Sequence, residues 1–297
     1  MPKVVCNHVE LYYESHGDSK SPTLMLICGL GDQLTSWKEG FIERFTSAGF
    51  HVVTMDNRDA GYSQNLDHFP MPALLENVQR YLSGEEVSAD YTLESMAQDV
   101  RGLCDHLKID QIHIAGASMG GMIAQTFACH HSDRCASLTS IMSTTGKREL
   151  SLATPEAMQL MLEPAPTERD AYIEHGVGVR RVLEGGVLPF DEALARQDAA
   201  VSYDRGLNPS GFARQLMAIL ASGDKRRALL GKVSCPALVI HGNADPLVPL
   251  DGGQDTADVL PEATLMVIDG LGHALPESTW PEVTNAMIGH MRMATQA

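Results

Sequence analysis

The chain has 297 residues, 44% hydrophobic and 20% charged, which suits one large domain, or one domain with an insertion, around a sizeable core. Its 22 Lys and Arg against 38 Asp and Glu leave a net charge of −16, a field that repels polyanions and sets aside nucleic acid and strongly anionic membranes as partners. The longest apolar runs, such as TLMLIC at 23–28 and ALVI at 237–240, are strand-length and fall far short of the ~20 residues that span a bilayer, so membrane insertion is not expected.

The start, MPKVVCNHVELYY, has one lysine, a short apolar run and then polar residues. That is not a signal-peptide pattern, and the expected compartment is the cytoplasm. Residues 9–17 read as a strand and turn, and 23–28 as a buried strand apolar on both faces. Residues 35–50 read as a helix, with Trp37, Phe41, Ile42 and Phe45 at helical spacing and Gly49 as its stop. A strand follows at 51–56. Residues 91–109 form a helix with Thr92 as N-cap and Met96, Val100, Leu103, Cys104 and Leu107 on one stripe.

The strand at 111–116 runs straight into Ser118, a helix covers 122–131, and a strand covers 135–144. From 145 to 233 the pattern changes to helical segments rich in Met, Ala and Leu, broken by PAP, GG and NPSG. Strands resume at 236–242 and 263–270. Residues 279–294 close the chain as a helix, with Thr279 and Glu282 at capping-box spacing. Alternating strands and helices predict an α/β fold with a mostly parallel central sheet flanked by helices. The boundaries predict a core of 1–144 and 234–297, interrupted by a helical insertion over 145–233. Cys6, Cys28, Cys104, Cys129, Cys135 and Cys235 form no C-x-x-C pair and read as free buried thiols in a reducing compartment. The 12 histidines include no H-E-x-x-H, so metal catalysis is not expected.

The chemistry gathers at strand ends, where sites in such sheets lie. GASMG at 116–120 fits G-x-S-x-G between a strand and a helix, a turn that exposes a serine nucleophile, here Ser118. Gly116 and Gly120 are needed because a Cβ at either would meet the neighbouring strand or helix. The helix start below Ser118 aims free N–H groups at a developing oxyanion, and Met119 would supply one of them. A serine hydroxyl needs a base, and the base needs an orienting acid. HGNADPLVP presents Asp245 after one strand, and GLGHALP presents His273 after the next, in the order serine, acid, histidine. Asp269 falls within the last strand pattern, and Asp251 lies deeper in its loop. CGLGDQ at 28–33 suits the second oxyanion donor, the N–H of Leu30.

With these motifs the chain resembles the α/β-hydrolase superfamily over essentially its whole length. Ser118, Asp245 and His273 match its nucleophile, acid and base. DNRDAGYS at 56–63 matches its D-x-R-x-x-G-x-S loop, and PALVIHGNAD its late-strand motif. The histidine loop is similar to that of aclacinomycin-type methylesterases and related carboxylesterases. One departure is Cys28-Gly29, where many relatives carry His-Gly. The resemblance implies a cofactor-free serine carboxylic-ester hydrolase acting on a small-molecule ester of small to medium size. The 145–233 insertion becomes a cap, and Met158, Met161, Leu216, Met217 and Leu220 become pocket-lining candidates or the cap's own core. The same triad also serves perhydrolases and C–C bond hydrolases, and the same fold serves non-catalytic small-molecule binders. The oligomeric state is not legible in the residues.

Overall fold

The computed structural model describes residues 2–296. Eight strands form one sheet: β1 (Lys3–Cys6), β2 (Val9–His16), β3 (Thr23–Ile27), β4 (His51–Met55), β5 (Ile112–Ala117), β6 (Cys135–Ile141), β7 (Ala237–Gly242) and β8 (Ala263–Ile268). Their order is β1-β2-β4-β3-β5-β6-β7-β8. β2 pairs antiparallel with β1 and β4, and the remaining neighbours are parallel. Every residue of β3, β4 and β7 is buried, as a parallel sheet covered on both faces requires.

The helices beside the sheet are α1 (Glu39–Ser47), α2 (Leu74–Leu82), α3 (Leu93–Leu107) and α4 (Met119–His130). Between β6 and β7 the described residues hold no strand but five helices, α5 (Pro155–Leu162), α6 (Arg169–Leu183), α7 (Glu192–Arg205), α8 (Pro209–Ser222) and α9 (Lys225–Leu230). The chain ends with α10 (Leu250–Val259) and α11 (Trp280–Gln296). No helix among the described residues is long and apolar enough to cross a membrane.

Side chains alternate across a strand, so β3 feeds two cores. Met25 and Ile27 pack with Met96, Val100 and Leu103 of α3 and Ile123 and Phe127 of α4. Leu24 and Leu26 pack with Phe41 and Phe45 of α1 and Val283, Met287 and Met291 of α11. Each element therefore shows the sheet the apolar stripe that its spacing announces.

Several local expectations are corrected. The helix expected over 35–50 splits into a 3₁₀ turn, Leu34–Ser36, and α1, because Trp37 and Lys38 are extended. Thr92 does cap α3, accepting from Ser95 N–H. The Thr279–Glu282 box does not form: Thr279 lies in the 3₁₀ turn Glu277–Thr279 and donates its hydroxyl to Pro276 O at 2.8 Å. α4 begins at Met119, before the expected 122, since Gly120 and Gly121 mask its first turn. β1 and α2 go unpredicted: β1 buries only Cys6, and α2 buries no residue, so neither casts a strong pattern.

The DNRDAGYS loop after β4 ties the layers together. Asp56 accepts from Leu34 N–H at 2.7 Å, Tyr62 N–H at 2.9 Å and Arg205 Nη2 at 2.6 Å. Arg58 donates two hydrogen bonds to Asp99 of α3, at 2.7 and 2.6 Å. Asp59 accepts two from Arg214 of α8, at 2.8 and 2.6 Å, and one each from the Tyr91 hydroxyl and Leu66 N–H. Asp59 and Arg214 are almost wholly buried. Burial alone would push the Asp59 carboxyl up, but the Arg214, Leu66 and Tyr91 donors outweigh it and hold it below the ordinary carboxylate range.

Asp59→Ala leaves the Arg214 guanidinium buried without its main partner. Urea unfolding at neutral pH is expected to show a loss of about 3–5 kcal/mol. A carboxyl with a depressed pKa stabilises the fold above its unfolded pKa and stops doing so as pH falls through its folded pKa. The gap between wild type and variant should therefore narrow on acidification, and a gap that widens would contradict the pairing.

Candidate active site

β5 is packed between β3 and β6, so the chain leaving it must turn sharply to enter α4. Ser118 makes that turn with φ 55° and ψ −121°, a conformation costing a non-glycine residue about 1–3 kcal/mol. Close packing enforces it. A Cβ on Gly116 would lie 2.1 Å from Gly120 O, and one on Gly120 would lie 2.2 Å from Ile27 O of β3. Ser118 N–H donates to Ile141 O at 2.9 Å, and Ser143 donates its hydroxyl to Ser118 O at 2.8 Å. The Met119 N–H opens α4 and, among the described residues, has no protein acceptor.

β7 and β8 end beside one another. Ala244 N–H donates to Leu271 O at 3.1 Å, and Asn243 Oδ1 accepts from Gly270 N–H at 2.8 Å. These bonds bring Asp245 and His273 together, with Nδ1 of His273 2.7 Å from Asp245 Oδ2. A carboxylate only accepts, so Nδ1 donates this bond, and in the neutral ring Nε2 is the nitrogen with the free lone pair. The other carboxylate oxygen accepts from the N–H groups of Leu247 and Val248, both at 2.9 Å. His273 N–H donates to Leu183 O at 2.6 Å, at the end of α6. Among the described residues no hydrogen bond joins His273 Nε2 to Ser118 Oγ. Such contacts commonly tighten only when substrate is bound.

The rival acids are engaged elsewhere. Asp269 accepts from Asn243 Nδ2 at 2.7 Å, and Asp251 from Ser151 N–H at 2.7 Å.

Leu30 lies on the loop after β3, and its N–H has no protein acceptor among the described residues. The loop around it is held from several sides. Asn57 Nδ2 donates to Cys28 O at 3.0 Å, and Gly31 N–H donates to Gln215 Oε1 at 2.9 Å. Gln33 Nε2 donates to Ser202 O at 2.9 Å. The Cys28–Gly29 departure is thus accommodated by Asn57, which anchors the Cys28 carbonyl, while burial pushes the Cys28 thiol well up.

Two residues here escaped assignment from the sequence. His241 donates Nε2–H to Val248 O at 2.8 Å and lies 3.7 Å from Asp245 Oδ2, bracing the turn that carries the acid. Burial lowers its pKa, which keeps it neutral. Its signal was its place four residues before Asp245 at the end of β7. Gln215, inside the long helical stretch, carried no such signal. Of the lining candidates, Met217 is buried, and Met158, Met161, Leu216 and Leu220 are partly so.

Residues 22–278 match the family described as alpha/beta hydrolase fold. Rhodomycin D methylesterase from Streptomyces sp. (strain C5) is 26% identical over 310 aligned positions, covering 97% of each chain. A 2-hydroxy-6-oxononadienedioate/2-hydroxy-6-oxononatrienedioate hydrolase from Paraburkholderia phymatum is 25% identical, over 89% of this chain and 85% of its own. Among solved structures, a thermophilic esterase from Thermogutta terrifontis superposes with a TM-score of 0.70 at 24% identity, over 99% of this chain and 98% of that one.

An active-site serine reacts with fluorophosphonates. Such a probe is expected to label Ser118, located by peptide mass spectrometry. Asp245→Asn should slow labelling by roughly 10³–10⁴-fold, through loss of the correct His273 tautomer. Labelling of another residue, or an unchanged rate, would reject the assignment.

Proposed function

We propose that this chain, which belongs to the alpha/beta hydrolase fold family, is a serine carboxylic-ester hydrolase of small to medium esters. The observation carrying the reading is the 2.7 Å contact between His273 Nδ1 and Asp245, on the strand-end loops of a sheet whose β5 ends in the strained Ser118 elbow. Similarity to a rhodomycin D methylesterase along nearly the whole chain supports ester hydrolysis in particular.

In this reading Ser118 Oγ attacks the ester carbonyl while His273 Nε2 takes its proton. Asp245 stabilises the imidazolium and holds its orientation. The N–H groups of Leu30 and Met119 stabilise the tetrahedral oxyanion, each contributing on the order of 10²–10³ in rate. His273 then protonates the leaving alcohol, and the acyl group stays on Ser118. Water, activated by His273, attacks this acyl-enzyme and releases the acid. The helices of residues 145–233 act as a cap, with Met217, Leu216 and Leu220 of α8 and Met158 and Met161 of α5 on its apolar side. Flexible methionines suit a pocket that adapts to varied acyl groups. No step calls for a metal or cofactor.

Similarity to a hydrolase of 2-hydroxy-6-oxononadienedioate makes C–C bond hydrolysis the second reading, with the same serine and histidine.

Hydrolysis of p-nitrophenyl acetate, butyrate, octanoate and palmitate by wild type and Ser118→Ala tests the first reading. Acetate and butyrate should turn over fastest, and the variant should lose at least about 10⁴ in kcat. Cleavage of a vinylogous diketone in place of every ester would favour the second reading. An equally active Ser118→Ala would exclude both.

A further inference from the structure

The triad and oxyanion donors leave one carboxyl beside Ser118 unexplained. Asp32 lies two residues past Leu30, and its N–H turns back to Gly29 O at 3.3 Å. That turn brings its side chain over Gly29. A Cβ on Gly29 would lie 3.1 Å from Asp32 Oδ2 and 3.5 Å from Ser118 Cβ, so the carboxylate and the serine border the same bare stretch of backbone. Asp32 is nevertheless exposed, facing open space. Among the described residues no cation comes within 4.0 Å of it. The Arg180 guanidinium, on α6 above, is tied instead to the buried Glu184 at 2.6 Å, and Lys38 to Asp198 at 2.5 Å. Arg180 is thus bonded to Glu184 and acts on Asp32 only from a distance. The protein around its open side raises the Asp32 carboxyl by displacing part of its hydration, and Arg180, His273, Ser36 and Lys38 oppose that only in part.

A carboxylate in this position is open to solvent, borders Ser118 across Gly29 and has no ion-pair partner. Binding an ester against it without a donor would strip its remaining water uncompensated, whereas a donor on the ester would replace that water. We propose that Asp32 is a specificity-determining residue that accepts a hydrogen bond from a hydroxyl or ammonium group carried by the ester beside its scissile bond. This rests on the ester-hydrolase reading above. The site then recognises esters that carry a donor group at Asp32.

The test compares kcat/KM of wild type, Asp32→Asn and Asp32→Leu on four esters: ethyl butyrate, its β-hydroxy derivative, its β-amino derivative, and hydroxyethyl butyrate, which bears the hydroxyl on the alcohol. Wild type should favour at least one donor-bearing ester over ethyl butyrate by about tenfold or more. In Asp32→Leu that ratio should fall to about one. Asp32→Asn, nearly isosteric and still an acceptor, should keep a preference for hydroxyl and lose one for ammonium, which separates the two donors. A wild type with no preference among esters that it does hydrolyse overturns the role of Asp32 alone. So does a wild-type preference that survives unchanged in Asp32→Leu, or a wild-type preference for the ammonium ester that survives unchanged in Asp32→Asn. Absence of turnover on all four by folded wild type overturns the ester reading, and this proposal with it. Thermal melts of both variants separate lost selectivity from lost fold.

Discussion

The buried ion pairs radiating from the loop after β4 are the constraint on which the rest of this structure depends. Asp56 and Asp59 are buried just past the carboxyl end of β4, where an unpaired carboxylate would be untenable, and Arg58 between them pairs with Asp99. Each partner comes from a different helix: Arg205 from α7 and Arg214 from α8 of the insertion, Asp99 from α3 of the core. Breaking any one strands a charge in the interior, so the layers are held in register by electrostatic necessity as much as by apolar contact. The inserted helices are anchored through α7 and α8 by two arginines, while much of α6 and α7 faces solvent.

The strain at Ser118 is sustained by close packing around the turn. A non-glycine residue at φ 55° survives only where its surroundings permit nothing else. Here the glycine contacts close the elbow from below: Gly116 against Gly120, and Gly120 against the end of β3. The loops after β7 and β8 are stitched to each other independently of Ser118. The proposed nucleophile and its proposed acid–base pair are therefore two rigid bodies, meeting at the carboxyl ends of one sheet.

Much of this was legible in the residues, for reasons that also explain what was not. The continuous apolar runs of β3 and β7 announced a doubly covered sheet. GASMG announced its turn because close backbone approach tolerates only glycine on either side. Asp245 and His273 were legible from their places after consecutive strands. What stayed hidden depends on pairs remote along the chain. Gly31 and Gln215 are 184 residues apart, and Gln33 and Ser202 are 169 apart. No local spacing encodes such a meeting. The Thr279–Glu282 box was misread for a different reason: the pattern was present, but Thr279 closes the 3₁₀ turn, and its own N–H, which the box would give to Glu282, goes to Pro276 O. The cysteines read as free thiols are free, and Cys135 and Cys235 lie 3.5 Å apart at the foot of β6 and β7, far from the strand ends that carry the site.

The Gly31–Gln215 bond has a consequence for how α8 is held. Gln215 also donates to Arg58 O at 2.7 Å, so one amide bridges the loop that carries Leu30 and the loop that anchors the helices. α8 is thereby a shared wall of both loops: displacing it would cost the Gly31 contact and the buried Asp59–Arg214 pair together, so the helix and the two strand-end loops hold one another in place.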